Sequence, residues 1–223
     1  MTVAVIVAAG KSSRMGASVD KAFLSLGNKP VIAWSLVAFE RAPEIDRIVL
    51  VVRKEQILAA KAVARMFGIS KLQAVVPGGA RRQDSVKAGL AACDVDTRFV
   101  LVHDAARPCV TSALVSEVAK AAKRFPAVAV GRPAVDTVKV CGKGQTVEKT
   151  LDRSRIWTVQ TPQAFQVRVL RDAYAALGPK TDVTDDCQAV EMAGGQVKIL
   201  ENPALNIKIT APEDMRVVSA LLN

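Results

Sequence analysis

The chain has 223 residues, half of them hydrophobic, and a formal charge of +10. That length fits one large α/β domain better than two small ones. No apolar run approaches the ~20 residues of a membrane-spanning helix, and Met1-Thr2-Val3 enters a strand without a charged leader, so neither a span nor a signal peptide is expected.

Residues 3–7 form an unbroken, β-branched apolar run, the pattern of a strand buried on both faces of a parallel sheet. It ends in small residues, Ala8-Ala9-Gly10, and Gly10 and Gly16 then bracket Lys11-Ser12-Ser13-Arg14, with Lys21 just beyond. A small-residue turn after a buried strand can aim several backbone N–H groups at one anion. Arg14 adds a planar fork for phosphate oxygens, and Lys11 and Lys21 add point charges. The spacing matches neither the P-loop nor the G-x-G-x-x-G fingerprint.

A helix is expected over 31–41 behind Pro30, a strand over 47–52, a helix over 54–67 closed by Gly68, and a strand over 72–76. Pro77-Gly78-Gly79-Ala80-Arg81-Arg82-Gln83-Asp84-Ser85 is a second glycine-rich basic loop, leading into a helix over 85–92. A strand over 99–103 ends in Asp104-Ala105-Ala106-Arg107-Pro108, followed by a helix over 111–124 and a strand over 127–130. This alternation predicts a mostly parallel sheet with helices on both faces. The special loops all follow carboxyl ends of strands, where ligands bind in such sheets, and should converge on one crevice.

After Pro133 the pattern changes. Short alternating strands at 136–140 and 145–150 flank Cys141-Gly142-Lys143-Gly144, predicting a projecting hairpin too polar for the centre of the sheet. An exposed hairpin needs cover, and a partner subunit would supply it. Residues 157–162 return to the domain, 167–177 read as a helix, and Thr184 is placed as N-cap of the next. Strands are expected at 197–200 and 206–209, and Thr210-Ala211-Pro212-Glu213 as a capping box opening a C-terminal helix. No linker divides the chain, which reads as one domain over 1–223 with a β-arm at about 134–156.

Cys93, Cys109, Cys141 and Cys187 are scattered without a C-x-x-C pair, as expected of reduced thiols in a cytoplasm. His103 is the only histidine, so one chain cannot assemble a histidine-based triad or a multi-histidine metal centre; it reads as a satisfied strand-end residue. The 31 basic residues form no single run and aromatics are 4%, so a nucleic-acid-binding module is the weaker reading.

The first loop resembles the nucleotide loop of sugar-nucleotide and polyol-phosphate nucleotidyltransferases. With Gly78-Gly79-Ala80-Arg81-Arg82-Gln83-Asp84-Ser85-Val86, Val102-His103-Asp104-Ala105-Ala106-Arg107-Pro108, Asp136-Thr137-Val138-Lys139, Thr161-Pro162-Gln163, Thr184-Asp185-Asp186 and Asn206-Ile207-Lys208-Ile209-Thr210 in order, the chain resembles the 2-C-methyl-D-erythritol 4-phosphate cytidylyltransferase family from about residue 3 to 222. The resemblance implies a Rossmann-like fold, a homodimer joined through the β-arm, and no nucleic-acid or membrane partner. It further implies transfer of CMP from CTP to 2-C-methyl-D-erythritol 4-phosphate, with Mg2+, in the non-mevalonate isoprenoid pathway.

By the same resemblance, Arg14 and Lys21 are the catalytic pair at the triphosphate. Ala8, Ala9, Gly10, Gly79, Ser85, Asp104 and Ala105 bind CTP, with Asp104 also the metal ligand. Arg107, Asp136, Thr137, Arg153, Thr161, Thr184 and Lys208 bind the methylerythritol phosphate, some from the neighbouring subunit. Arg81 reads as a surface charge, and Arg82 does too, although it lies where the family keeps an arginine. One departure is Asp20, where the family commonly has proline, expected to loosen the loop carrying Lys21; Cys187 and Gln188 also differ from the usual small residues. The nearest rival is a cytidylyltransferase for ribitol 5-phosphate or a similar polyol phosphate, distinguished at Arg153, Thr161 and Lys208.

Overall fold

The computed structural model describes residues 1–10 and 20–222. Lys11 and Arg14 therefore lie outside the described residues.

The chain opens with β1 (Thr2–Val7), a 3-10 turn at Lys21–Phe23, a small ribbon of β2 (Ser25–Leu26) and β3 (Lys29–Pro30), and α1 (Val31–Arg41). Then come β4 (Arg47–Val52), α2 (Ile57–Met66), β5 (Leu72–Pro77), α3 (Arg82–Ala91), β6 (Phe99–Asp104), α4 (Ser112–Ala122) and β7 (Ala127–Pro133). A second ribbon, β8 (Lys139–Cys141) and β9 (Val147–Thr150), precedes β10 (Trp157–Gln166), α5 (Val167–Ala176), α6 (Asp186–Met192), β11 (Lys198–Glu201) and α7 (Pro212–Leu222).

Seven strands form one sheet in the order β11-β7-β10-β6-β1-β4-β5. Its pairs are parallel except those of β10, which runs against both β6 and β7. The apolar runs follow from cover on both faces: Ala4 and Ile6 of β1 pack with Leu36, Phe39 and Val118 beneath α1, α2 and α4. Val3 and Val5 pack with Val86, Leu170 and Val190 beneath α3, α5 and α6. A strand buried on both faces has no polar side, so the period-two alternation of a half-exposed strand is missing from these runs.

Several sequence expectations shift. The helix expected over 54–67 divides into a 3-10 turn, Lys54–Gln56, and α2. Helix α3 begins at Arg82 rather than Ser85, because the Asp84 carboxylate reaches back to accept the Arg81 N–H at 3.2 Å. The N-cap of α6 is Asp185, not Thr184; Asp185 Oδ1 accepts the Gln188 N–H at 2.8 Å. At α7 the carboxylate that accepts the Ala211 N–H, at 2.8 Å, belongs to Asp214 rather than Glu213. Residues 206–209 join no sheet, since their bonds go to the site loops instead: the Ile209 N–H donates to Ala106 O at 2.8 Å and Asn206 Nδ2 to Thr161 O at 2.8 Å. Strand β10 continues past Pro162 to Gln166, with its register against β7 shifting between Gln160 and Gln163. Proline has no N–H to give a ladder, so it sits at an irregularity.

The hairpin forms as a separate two-stranded ribbon whose β9 is exposed throughout. Asp136 and Thr137 precede β8 rather than belonging to it.

Candidate active site

The sheet delivers its loops to one end. Past the last paired residues, the Ala8 N–H donates to Val51 O at 2.7 Å, the Gly78 N–H to Val52 O at 2.8 Å and the Ala105 N–H to Val7 O at 3.0 Å. The loops after β1, β5 and β6 are thereby tied to neighbouring strands and border contiguous cavities. One of about 210 Å3 is bordered by Ala8, Gly10, Lys21, Arg82, Asp104 and Lys208. A second, about 240 Å3, lies between Ala9, Gly10, Gly78, Gly79 and Ser85. A third, about 290 Å3, is bordered by Arg107, Thr161, Thr184, Asp185 and Lys208. Arg82 borders all three.

The second cavity is shaped by close backbone packing. A Cβ on Gly78 would stand 2.3 Å from Ala9 Cβ and 2.7 Å from Ser85 Oγ, and one on Gly79 would stand 2.4 Å from Asp84 Cβ. Ser85 Oγ accepts the Gly79 N–H at 3.1 Å and holds that turn. Among the described residues, a Cβ on Gly10 would meet nothing within 4 Å.

Charge in the site is organised around Asp104. Its Oδ1 accepts from Arg82 Nε at 3.1 Å and its Oδ2 from Lys208 Nζ at 2.5 Å. Burial alone would push the Asp104 carboxyl up; Arg82 and Lys208 outweigh that and hold it well below the usual carboxylate range. Burial likewise opposes the charge on Arg82, but Asp186 and Asp104 more than restore it and raise its pKa. Arg82 Nη2 lies 2.8 Å from Asp186 Oδ2, and the Tyr174 hydroxyl donates to the other oxygen of Asp186. Arg82 is thus no surface charge. It is a bridge between two buried carboxylates from distant loops, and those partners are invisible in its own neighbourhood of sequence. Arg81 does fit the surface reading: its guanidinium is spent on Asp84 at 2.9 Å and on loop carbonyls.

His103 is fully buried beneath Asp104. Ser35 Oγ lies 3.4 Å from His103 Nε2 and 3.3 Å from Ala105 O. Thr161 Oγ1 accepts the Asp104 N–H at 3.0 Å and lies 3.2 Å from His103 Nδ1. Burial pushes the imidazole pKa down to about 3, and a neutral ring with both nitrogens engaged is a structural element of the site rather than a proton carrier.

The predicted residues divide by place. Ala8, Ala9, Gly10, Gly79, Ser85, Asp104 and Ala105 line the first two cavities, together with Lys21. Lys21 Nζ donates to Ile209 O at 2.9 Å. Arg107, Thr161, Thr184 and Lys208 gather at the third, where Arg107 Nη1 donates to Asn206 O at 2.7 Å. Thr161 is almost fully buried, with its hydroxyl engaged by His103 and the Asp104 backbone. Asp136, Thr137 and Arg153 are exposed on the arm and line none of these cavities, and Arg153 Nη1 donates to Val135 O at 2.6 Å. The Asp20 departure does not leave a loose segment. Asp20 Oδ1 accepts the Ala22 N–H at 3.1 Å, capping the turn that carries Lys21, and its Oδ2 is held by Arg53.

Among the described residues, no group of three His, Cys, Asp or Glu side chains could hold a metal ion together. A hard divalent cation still fits here. Mg2+ is commonly bound through one or two carboxylates, with substrate phosphates and water completing the shell, and Asp104 offers one ionised carboxylate at the cavity wall.

A doubly covered, mostly parallel sheet whose glycine-turned strand ends enclose a cation-rich cavity defines a Rossmann-like nucleotide-binding site. The family model described as IspD, 2-C-methyl-D-erythritol 4-phosphate cytidylyltransferase, matches residues 2–223. A curated protein of that name from Syntrophotalea carbinolica is 41% identical over 227 residues, covering 100% of this chain and 97% of the relative. Another, from Dehalococcoides mccartyi, is 43% identical over 219 residues, covering 98% and 95%. The crystal structure of 4-diphosphocytidyl-2C-methyl-D-erythritol synthase from Anaerococcus prevotii superposes with a TM-score of 0.87 at 31% identity, covering 99% of this chain and 95% of that one. The chain belongs to the 2-C-methyl-D-erythritol 4-phosphate cytidylyltransferase family.

Proposed function

We propose that this chain transfers CMP from CTP to 2-C-methyl-D-erythritol 4-phosphate, releasing pyrophosphate and forming 4-diphosphocytidyl-2-C-methyl-D-erythritol. The observation that carries the reading is the convergence of Lys21, Arg82, Arg107 and Lys208 on the first and third cavities, which share Asp104, with Arg82 also bordering the second cavity at the Gly78-Gly79 turn. Such a site suits two phosphorylated ligands side by side.

The acceptor's phosphate monoester is anionic near neutral pH and needs no general base. The site's own groups agree with this: His103 stays neutral within the fold, and Asp104 is an ionised carboxylate pinned by two cations. Catalysis is then positioning and electrostatic stabilisation, as in phosphoryl transfer generally. The turns at Ala8-Ala9-Gly10 and Gly78-Gly79 seat the nucleotide. Lys21, with Arg14, neutralises the triphosphate as the acceptor oxygen attacks the α-phosphorus and pyrophosphate leaves in line. Lys208 and Arg107 hold the acceptor phosphate. Mg2+, attached through Asp104, would spread the charge on the phosphate oxygens.

Asp136, Thr137 and Arg153 complete the acceptor site from a second subunit, whose arm covers the exposed apolar side chains of Val135 and Val147. In this reading the enzyme is a homodimer in a reducing cytoplasm. All four cysteines are free, and among the described residues no helix is long and apolar enough to cross a membrane. Pyrophosphate release with CTP, ATP, GTP or UTP, and with methylerythritol phosphate or ribitol 5-phosphate as acceptor, tests the reading. Release confined to CTP with methylerythritol phosphate supports it, and release with the ribitol ester transfers the enzyme to the rival acceptor.

A further inference from the structure

The turn that carries Lys21 is held by a device built from two residues outside the roles given above. Asp20 is the N-cap of the 3-10 turn Lys21–Phe23: its backbone carbonyl accepts the Phe23 N–H at 3.0 Å and its Oδ1 accepts the Ala22 N–H at 3.1 Å. Its Oδ2 accepts from Arg53 Nη2 at 2.8 Å and from Arg53 Nε at 3.1 Å. The Asp20 side chain is only 7% exposed, against 30% for Arg53. Arg53 follows β4, whose ladder to β1 fixes its place in the sheet. A three-residue turn makes few bonds of its own, so its orientation depends on what anchors it. Here one end is anchored to the sheet through Asp20 and Arg53, and the Lys21 ammonium is anchored to Ile209 O at 2.9 Å.

We propose that Asp20, clamped by Arg53, is a positioning residue that sets the ammonium of Lys21 against the triphosphate. A charged clamp at that place does by side-chain bonds what a rigid residue does by restricting the backbone. The proposal rests on the nucleotidyl-transfer reading for its kinetic consequence, but not for its binding consequence. Asp20 borders the first cavity and Arg53 the second, but the Asp20 carboxylate is spent on the Ala22 N–H and on Arg53, so its effect passes through Lys21.

Non-additivity with Lys21 separates this role from a general structural one, because two groups that act as a unit do not lose their contributions independently. Asp20→Ala and Arg53→Gln should each lower kcat roughly 10- to 100-fold, the scale of a small misplacement in a site, with KM for the acceptor unchanged. Asp20→Asn keeps an oxygen for the Ala22 N–H and should recover part of the loss, which also covers the case in which Asp20→Ala fails to fold. The same variants should weaken binding of inorganic tripolyphosphate, measured by calorimetry. In a Lys21→Ala background, Asp20→Ala should change that affinity by less than about threefold. An equal loss of affinity in both backgrounds, or wild-type kcat and affinity in Asp20→Ala, overturns the proposal. Tripolyphosphate binding needs no acceptor, so a wrong acceptor shows up as missing turnover with the binding coupling intact.

Discussion

Lys208 Nζ lies 2.5 Å from Asp104 Oδ2, a contact between residues 104 positions apart that closes the candidate site. Asp104 ends a central strand, whereas Lys208 lies on an unpaired extended segment held to the site loops through Ile209 and Asn206. The pairing leaves Asp104 ionised and places Lys208 where the first and third cavities meet.

Arg82 holds the other side of Asp104, and removing it leaves buried Asp186 without a cation and Asp104 with Lys208 alone. Arg82→Met should destabilise the fold by about 3–5 kcal/mol, the usual cost of breaking a buried ion pair from one side. Chemical denaturation at neutral pH measures this. A loss under about 1 kcal/mol would mean that Asp104 and Asp186 find water or other cations instead.

Two glycines should respond differently to an added methyl group. Gly78→Ala forces a Cβ to within 2.3 Å of Ala9 and should lower both stability and CTP affinity. Gly10→Ala meets nothing within 4 Å of its Cβ among the described residues, so the thermal midpoint should hold while CTP affinity falls roughly tenfold or more by blocking close approach of the ligand. Unchanged CTP binding in Gly10→Ala would move the nucleotide away from this turn.

His103 makes stability pH-dependent. The folded chain holds its imidazole pKa near 3 against an ordinary 6.5, so between those values the unfolded chain binds the extra proton. Stability should be intact above about pH 6.5 and fall as pH drops towards 3, by up to about 1.4 kcal/mol per unit for one proton. Denaturation at pH 7 and pH 5 checks the slope. With one histidine in the sequence, its nitrogen resonances report the protonation state directly, and a doubly protonated ring in the folded chain at pH 5 would contradict the buried, neutral imidazole.

A metal should bind together with the nucleotide rather than ahead of it. Among the described residues Asp104 has no neighbouring pair of ligands, so calorimetry should detect no tight Mg2+ binding to the chain alone, and tight binding once CTP is present. Micromolar Mg2+ affinity in the absence of CTP would require a ligand set not seen here.

Much of this was legible in the sequence, for identifiable reasons. Buried parallel strands and the small residues at their ends are local signals, so β1, β4 and β6 and their loops could be read directly. Arg82 could not be read because its meaning lies in Asp104 and Asp186, which only the fold brings to it. The segment at 206–209 alternates like a strand, yet its backbone bonds are claimed by Ala106, Arg107 and Lys21. Thr184 and Asp185 are both able caps, and the choice fell to Asp185, whose Oδ2 also accepts from Gln163 Nε2 at 2.8 Å. Asp20 looked like a weakness because Arg53 is distant in sequence and adjacent in space.

The most direct test of the central claim is to follow the acceptor's phosphate oxygens. Methylerythritol phosphate labelled with oxygen-18 in its phosphate is incubated with CTP and Mg2+, and the products are weighed by mass spectrometry. The expected result is a cytidine diphosphate ester of methylerythritol that carries all the label, with unlabelled pyrophosphate, as attack by the monoester oxygen on the α-phosphorus requires. Free CMP with the labelled acceptor unconsumed, or label in the pyrophosphate, would contradict that transfer.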